Sequence, residues 1–283
     1  DGADAADATG SSGRAVTDHT LQAPESSMAP ADAELGNRRN RFSAAFPDYA
    51  ATQVLDDFRA RELSRLDREG HVYLDYTGGG LYGESQVRRH MDLLLGSVLG
   101  NPHSTNPTSA AATRYVESCR RRVLAFFGAD PQEYVAIFTA NASQSLKLVG
   151  ESYPFEPGDR FLLTFDNHNS VNGIREYDRA HGAETTYVPV KPPELRVDEA
   201  ALDRELALAR PGGHNLFAYP AQSNFSGVQH PLSWIARAQA RGWDVLLDAA
   251  AFVPSNRLDL GEVHPDFVAL SFYKMFGYPT GVG

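Results

Sequence analysis

The chain has 283 residues, of which 42% are hydrophobic and 10% aromatic, so it is long enough to bury a sizeable core in one or two domains. Its net charge of −10 argues against nucleic acid or an anionic membrane as the main partner. The single cysteine excludes an internal disulfide. No secretory signal pattern and no run of about eighteen apolar residues is present, so we expect a cytoplasmic protein.

The first segment, residues 1–40, is predicted to be a disordered acidic tail. Residues 1–37 carry seven acidic side chains against one arginine, and they are rich in Ala, Gly, Ser and Pro. Such a composition offers too little apolar surface to offset the entropy that is lost on ordering. We therefore expect the folded part of the chain to begin near residue 41.

Beyond the tail, the sequence predicts a helical arm and then a larger domain. The arm is assigned to residues 41–100, which begin with the apolar spacing of a helix. In residues 101–283 strand and helix patterns alternate, which is typical of an α/β domain with a mainly parallel sheet flanked by helices. Strands are predicted at 134–138, 160–165, 185–190, 215–219, 244–247 and 267–270, and helices at 84–98, 109–127, 143–151, 170–181, 198–209 and 231–241.

Two of the predicted strands end in a carboxylate and an amine. Asp248 follows the apolar run 244–247, and Lys274 follows the run 267–270. Open α/β folds place their chemistry at the carboxyl edge of such strands. A lysine amine forms a Schiff base with the aldehyde of pyridoxal phosphate (PLP), and a carboxylate keeps its pyridine nitrogen protonated. For either residue alone, a solvated lysine or a helix-capping aspartate is an equally good interpretation.

A small-residue turn at 139–145 offers a site for the phosphate of PLP. It follows the predicted strand 134–138 and leads into a helix, whose free N–H groups and dipole favour an anion. Ser143 lies in this turn and has a hydroxyl to donate. The alternative role of Ser143 is that of an ordinary helix cap.

Two further strand ends carry polar side chains that suit the same cofactor. His168 follows the predicted strand 160–165, and its imidazole is suited to stacking on the PLP ring and to moving protons near neutral pH. Asn224 follows the predicted strand 215–219 and offers a hydrogen bond to the phenolic oxygen. Taken alone, His168 is better explained as a loop or capping residue than as a catalytic one. The convergence of four strand ends on groups for one cofactor predicts a PLP site, and no metal site is predicted.

From Tyr73 to Gly283 the chain resembles the class V aminotransferase family of type I PLP-dependent enzymes, and within that family the molybdenum cofactor sulfurase branch. The resemblance implies the large domain of the type I fold. It also implies an amino-acid substrate and a homodimer. The segments that carry it are 73–76, 100–104, 138–142, 166–171, 217–227, 248–251 and 271–277.

The resemblance also implies roles for particular residues. Lys274 matches the family's Schiff-base lysine, and Asp248 matches the partner of the pyridine nitrogen. His168 matches the stacking residue, with a part in proton transfer, and Asn224 matches the ligand of the phenolic oxygen. The phosphate cradle is matched by Ala142, Ser143, Gln144, Ser271 and Tyr273, and loops near the substrate are matched by Gly79, Asn101 and His103.

Among the reactions of this family, the resemblance favours a cysteine desulfurase like the sulfurases. Ala251 agrees with that branch, because many other desulfurases carry a glutamine there. A class V aminotransferase, a carbon–sulfur lyase, an epimerase, and a truncated or non-catalytic binding protein remain as alternatives. The family's small C-terminal domain, its carboxylate-binding arginine and its persulfide cysteine are expected after Gly283, and Cys119 does not match that cysteine.

Overall fold

The structure, a computed structural model, describes residues 28–283, which form two compact units that divide after Asp57. The first unit contains helix α1 (Met28–Ala45), a short 3-10 helix (Pro47–Thr52) and the start of α2 (Gln53–Glu62). Residues 28–40, predicted as part of a disordered tail, are therefore helical. Helix formers and the i,i+4 pair of Glu34 with Arg38 favour this conformation. Residues 1–27 lie outside the described residues.

The second unit is an α/β domain with a parallel five-stranded sheet in the order β2-β1-β5-β6-β7. A separate antiparallel pair, β3 with β4, lies outside this sheet. The strands are β1 (Arg160–Thr164), β2 (Glu184–Val188), β3 (Val190–Lys191), β4 (Arg196–Val197), β5 (Asn215–Pro220), β6 (Asp244–Asp248) and β7 (Phe267–Ala269).

Helices cover both faces of the sheet, because the strands are apolar on both faces. The helices are α3 (Ser64–Arg68), α4 (Glu84–Gly96), α5 (Pro107–Phe126), α6 (Ala142–Ser152), α7 (Asn169–Asn172), α8 (Arg175–Ala180), α9 (Glu199–Leu206), α10 (Trp234–Gln239) and α11 (Phe272–Phe276). Leu162 and Phe217 pack with α9 and α10 on one face, and Phe161 and Leu216 pack with α6 and α7 on the other.

The predicted strand 134–138 is not a strand in the structure. Its side chains alternate, with Val135 and Ile137 exposed, but the described residues provide no ladder partner for it. Only Thr139, just after it, exchanges two backbone hydrogen bonds with Gly283, at 2.9 and 3.1 Å. A cavity of about 300 Å³ is lined by this segment and by β7. Strand-forming residues need a neighbouring strand to pair with, and that neighbour cannot be read from local sequence.

Two other boundaries differ from the sequence prediction for local reasons. The predicted strand 185–190 ends at Val188 because Pro189 has no N–H to donate to a ladder. The predicted helix 170–181 is divided into α7 and α8 at Gly173. No helix among residues 28–283 is both long and apolar enough to cross a membrane.

Candidate active site

The carboxyl ends of four neighbouring strands, β1, β5, β6 and β7, meet at one edge of the sheet. The register pairs Pro220 with Asp248 and Asp248 with Ala269, which aligns the ends of β5, β6 and β7. A cavity opens at this edge, where open α/β sheets bind ligands. It is lined by Asn141, Ala142, Ser143, Leu146, His168, Ser170, Pro220, Gln222, Asn224, Asp248, Ala250, Ala251, Ser271, Tyr273 and Lys274.

Asp248 lies at the end of β6 and is buried. One of its oxygens, Oδ1, accepts a hydrogen bond from the backbone N–H of Ala250 at 3.1 Å. Burial raises the pKa of Asp248, while the Ala250 N–H and the nearby basic side chains of His168 and Lys274 act in the opposite direction. A carboxylate in this position favours a positively charged hydrogen-bond donor as its partner.

Lys274 lies on the short helix α11, which is held in place by close backbone contacts. Gly80 N donates a hydrogen bond to Tyr273 O at 3.0 Å, so the loop that contains Gly80 packs directly against this helix. Gly277 ends the helix with a φ of +70°, and a Cβ there would lie 2.2 Å from Tyr82 N. Glycine is therefore required at 277 for both its conformation and its lack of a side chain.

The N-terminus of α6 faces the cavity and is capped by Asn141, not by Ser143. Asn141 Oδ1 accepts from Gln144 N at 2.9 Å. The Gln144 N–H, which the resemblance assigned to the phosphate, is therefore used by the cap, and Gln144 does not line the cavity. The N–H groups of Ala142 and Ser143 begin the helix and have no acceptor within it. Both residues line the cavity, and the start of a helix is a favourable place for an anion.

Ser271 supplies a second polar group without a partner at the same place. Its Oγ is buried and makes no hydrogen bond with any described residue. A buried hydroxyl in this state costs free energy unless a ligand or water pairs with it. The cavity therefore contains an unpaired hydroxyl close to a helix N-terminus, which together suit a phosphate group.

His168 both caps a helix and lines the cavity, so the two roles considered for it are compatible. Its Nδ1 accepts from Ser170 N at 3.1 Å and lies 2.9 Å from Ser170 Oγ. Because Nδ1 is an acceptor, the neutral imidazole carries its proton on Nε2. Ser170 Oγ also lies 2.6 Å from Ser143 Oγ, which connects the imidazole to the start of α6. Ser170 was not predicted as a site residue, because its contacts with His168 and Ser143 are formed only in the folded chain.

Asn224 is presented by a tight turn between β5 and α10. Ser223 Oγ accepts from the backbone N–H groups of Phe225 and Ser226, at 3.3 and 3.4 Å. Gly227, with a φ of +73°, closes the turn by donating to Ser223 O at 3.0 Å. These bonds hold Asn224 at the rim of the cavity.

The three residues predicted for substrate contacts are placed differently from one another. Gly79 lies against the ring of Tyr273, since a Cβ added at residue 79 would be 3.4 Å from that ring, and so it adjoins the cavity. Asn101 and His103 are exposed and do not line it. His103 has a left-handed φ of 74°, and its N–H donates to Thr113 Oγ1 at 2.8 Å.

Comparisons with known proteins agree with this architecture. The family model Aminotransferase class-V matches residues 72–283. Molybdenum cofactor sulfurase from Bos taurus is 42% identical over 247 residues, which are 81% of this chain and 27% of that protein. The sulfurase from Arabidopsis thaliana is 36% identical over 270 residues, or 84% of this chain and 33% of that protein. The chain thus spans about a third or less of the length of these relatives.

Among solved structures, the apo cysteine desulfurase from Thermococcus onnurineus NA1 superimposes with a TM-score of 0.69 at 25% identity, over 80% of this chain and 55% of that one. The cysteine desulfurase CsdA from Escherichia coli gives 0.66 at 25% identity, over 81% of this chain and 56% of that one. The mainly parallel sheet flanked by helices is thus the fold of these desulfurases. The chain belongs to the class V aminotransferase family.

Proposed function

We propose that the chain is the cofactor-binding part of a PLP-dependent enzyme that acts on an amino acid. The observation that carries this proposal is the convergence of four chemically distinct groups on one cavity. These groups are the carboxylate of Asp248, the amine of Lys274, the imidazole of His168 and the amide of Asn224. Membership of the class V aminotransferase family supports it further.

The cavity contains polar groups without partners, and these groups are complementary to PLP. The unpaired Ser271 Oγ and the free N–H groups at the start of α6 match a phosphate dianion. The buried Asp248, whose pKa is raised by desolvation, matches a protonated ring nitrogen, since that cation would restore its ionised form. Each end of the cofactor therefore has a complementary partner.

Each residue would then have a defined task. When bound, PLP would supply an electron sink for the substrate carbon that carries the amine. Asp248 would hold the proton on the ring nitrogen, and Asn224 would donate to the phenolic oxygen. Lys274 would anchor the cofactor through Nζ and move the proton at the substrate carbon. His168 would stack on the ring, with its Nε2 proton directed away from Ser170.

The reaction that we favour is cysteine desulfuration of the molybdenum cofactor sulfurase type. Identities of up to 42% with proteins of that name support it, as does Ala251 in the cavity lining. The acceptor of the sulfur would be a thiol outside the described site. We further propose a cytoplasmic homodimer, on the basis of the family resemblance and the chain's single cysteine.

Lysine labelling tests the cofactor proposal sharply because the chain has only three lysines, Lys147, Lys191 and Lys274. Lys147 is paired with Glu151 at 2.8 Å and Lys191 with Asp198 at 3.0 Å. Borohydride reduction of the PLP-loaded protein, followed by peptide mapping, should place the label on Lys274 alone.

Variants provide the controls for this labelling. Lys274→Ala should abolish the visible absorbance of the bound cofactor, whereas Lys147→Ala and Lys191→Ala should keep it. Label on either of the two control lysines, or a visible band that persists in Lys274→Ala, would contradict the assignment.

The reaction itself is tested by its products. With L-cysteine and an excess of a small thiol, which would accept the sulfur as a persulfide and release it as sulfide on reaction with a second thiol, the PLP-loaded protein should form alanine and sulfide in equal amounts. Formation of pyruvate and ammonia would instead indicate a lyase, and a cysteine-derived keto acid would indicate an aminotransferase. Either result would reject the desulfurase assignment and leave the PLP site standing.

A further inference from the structure

A buried histidine–carboxylate pair lies just outside the candidate active site. His230 Nε2 is 2.8 Å from Asp166 Oδ2, and the two side chains are only 2% and 6% exposed. Neither residue lines the cavity. Burying an ionisable pair is costly in desolvation and adds little net stability compared with apolar packing. A role in fixing one particular arrangement of the surrounding loops would account for it.

The pair joins the two loops that present His168 and Asn224. Asp166 precedes His168 in the loop after β1, and His230 follows Asn224 in the loop after β5. A second bond reinforces the connection, because Ser223 Oγ donates to Asp166 O at 3.4 Å. The two loops are therefore linked both through side chains and through the backbone of residue 166.

The imidazole of His230 is itself held in one orientation. Its ring stacks on that of Trp234, with centroids 5.2 Å apart and planes 20° from parallel. Its backbone N–H donates to Ala221 O at 3.0 Å, just after the end of β5. The other carboxylate oxygen of Asp166, Oδ1, is buried and has no partner among the described residues. Asp166 thus depends on His230 for its pairing.

We propose that Asp166 and His230 are positioning residues that fix the distance between His168 and Asn224. His168 would stack on the ring of PLP and Asn224 would bind its phenolic oxygen. The Asp166–His230 pair would therefore set the spacing of these two contacts with the cofactor. This inference rests on the proposed PLP function. It predicts that breaking the pair weakens cofactor binding beyond any loss of stability.

The test compares His230→Leu with His230→Gln in the full chain. Leucine removes the hydrogen-bond donor, whereas the glutamine amide retains a donor near the position of Nε2. PLP is titrated into the cofactor-free protein to obtain Kd, and the wavelength of the visible band is recorded. His230→Leu should raise the Kd for PLP roughly tenfold, the lower end of the loss of metal affinity when hydrogen-bond partners of metal-binding residues are removed, and should shift the band. His230→Gln should restore most of the affinity.

Asp159 provides a matched control for Asp166. The two aspartates lie just outside opposite ends of β1. It is fully buried and pairs with Arg210 Nη1 at 2.7 Å, just before β1 begins. Asp159→Asn should lower the thermal stability, with the Kd for PLP unchanged within about twofold of wild type. Asp166→Ala, which removes the acceptor, replaces His230→Leu if that variant does not fold, and it should also raise the Kd.

The possible outcomes separate the two proposals. If wild type binds PLP on Lys274 and the His230→Leu or Asp166→Ala variant binds it equally well, the positioning role is overturned while the proposed function stands. An equal weakening in Asp159→Asn also overturns it, because the effect would then be one of general stability. Failure of wild type to bind PLP would reject both proposals.

Discussion

Asp248 combines an acidic side chain with an environment that opposes its charge. The carboxyl group is buried at the end of β6, and its pKa is raised above the ordinary value chiefly by this burial. In the absence of a cationic partner, the ionised form therefore destabilises the fold. Asp248, which is suited to binding the cofactor, therefore lowers the stability of the cofactor-free protein when it is ionised.

We predict that Asp248→Asn makes the cofactor-free protein more stable at neutral pH. A raised folded-state pKa means that the contribution of Asp248 is most favourable below its unfolded pKa and is lost as the pH rises through its folded pKa. Asparagine does not titrate, and its Oδ1 still accepts from Ala250 N. The difference in free energy of unfolding between Asp248→Asn and wild type should be smallest in acid. It should grow as the pH rises from the unfolded-state pKa to the folded-state pKa of Asp248, and then stay constant.

Urea denaturation of both proteins, from about pH 3.5 to pH 8, measures this difference. A stability difference that stays constant with pH would contradict the prediction. The same variant should weaken PLP-dependent activity, because an amide cannot hold the ring nitrogen in its protonated form.

Asn141 shows how a single cap prepares a helix for both stability and binding. Its side chain accepts the hydrogen bond of the Gln144 N–H, while Ala142 and Ser143, which begin α6, line the cavity. Asp198 performs the same capping role for α9, where its Oδ1 accepts from Ala200 N and Ala201 N. The two helices therefore provide a natural comparison between a cap at the site and a cap away from it.

We predict that Asn141→Ala and Asp198→Ala each lower the free energy of unfolding by about 1 kcal/mol, the usual contribution of an N-cap. Only Asn141→Ala should also weaken PLP binding, since the start of α6 would lose its fixed geometry at the phosphate. Chemical denaturation and PLP titration of both variants test this. Equal effects of the two variants on PLP affinity would argue against phosphate binding at α6.

At the level of elements, the sequence predicts well those features that depend on local residues. The strands at 160–165, 215–219, 244–247 and 267–270 are present, with small shifts at their ends. The segment 134–138 has the residues of a strand but lacks a partner among the described residues, which no local pattern reveals. The same applies to the Asp166–His230 pair, whose members are far apart in the chain and meet only through the fold.

The residues of the candidate site also differ in how far local sequence predicts their positions. Strand ends predicted the positions of Asp248, Lys274, His168 and Asn224, because parallel strands bring their carboxyl ends to one edge. Local competition between capping residues was not predictable, so Asn141 was overlooked as the cap and Ser170 as the partner of His168. The roles assigned to the site residues remain predictions until cofactor binding is measured.

For the molecule as a whole, stability is concentrated in the middle of the sheet. Strands β5 and β6 pair on both sides and are almost entirely buried, whereas 134–138 has no ladder partner among the described residues. We predict that the amides of Leu216–Tyr219 and Val245–Leu247 exchange at least about a thousandfold more slowly than those of 135–137. Hydrogen–deuterium exchange with peptide resolution measures this, and similar protection of 135–137 would contradict it.

Every ladder of the five-stranded sheet joins strands that are far apart along the chain, as where Arg160 pairs with Asn215. Long loops must close before such pairings are compensated by burial, so the sheet is expected to form slowly during refolding. The cavity draws its polar groups from the ends of four of these strands, and it exists only when all of their ladders are in register. Cofactor absorbance should therefore recover only in the last stage of refolding, later than the circular dichroism signal of the helices.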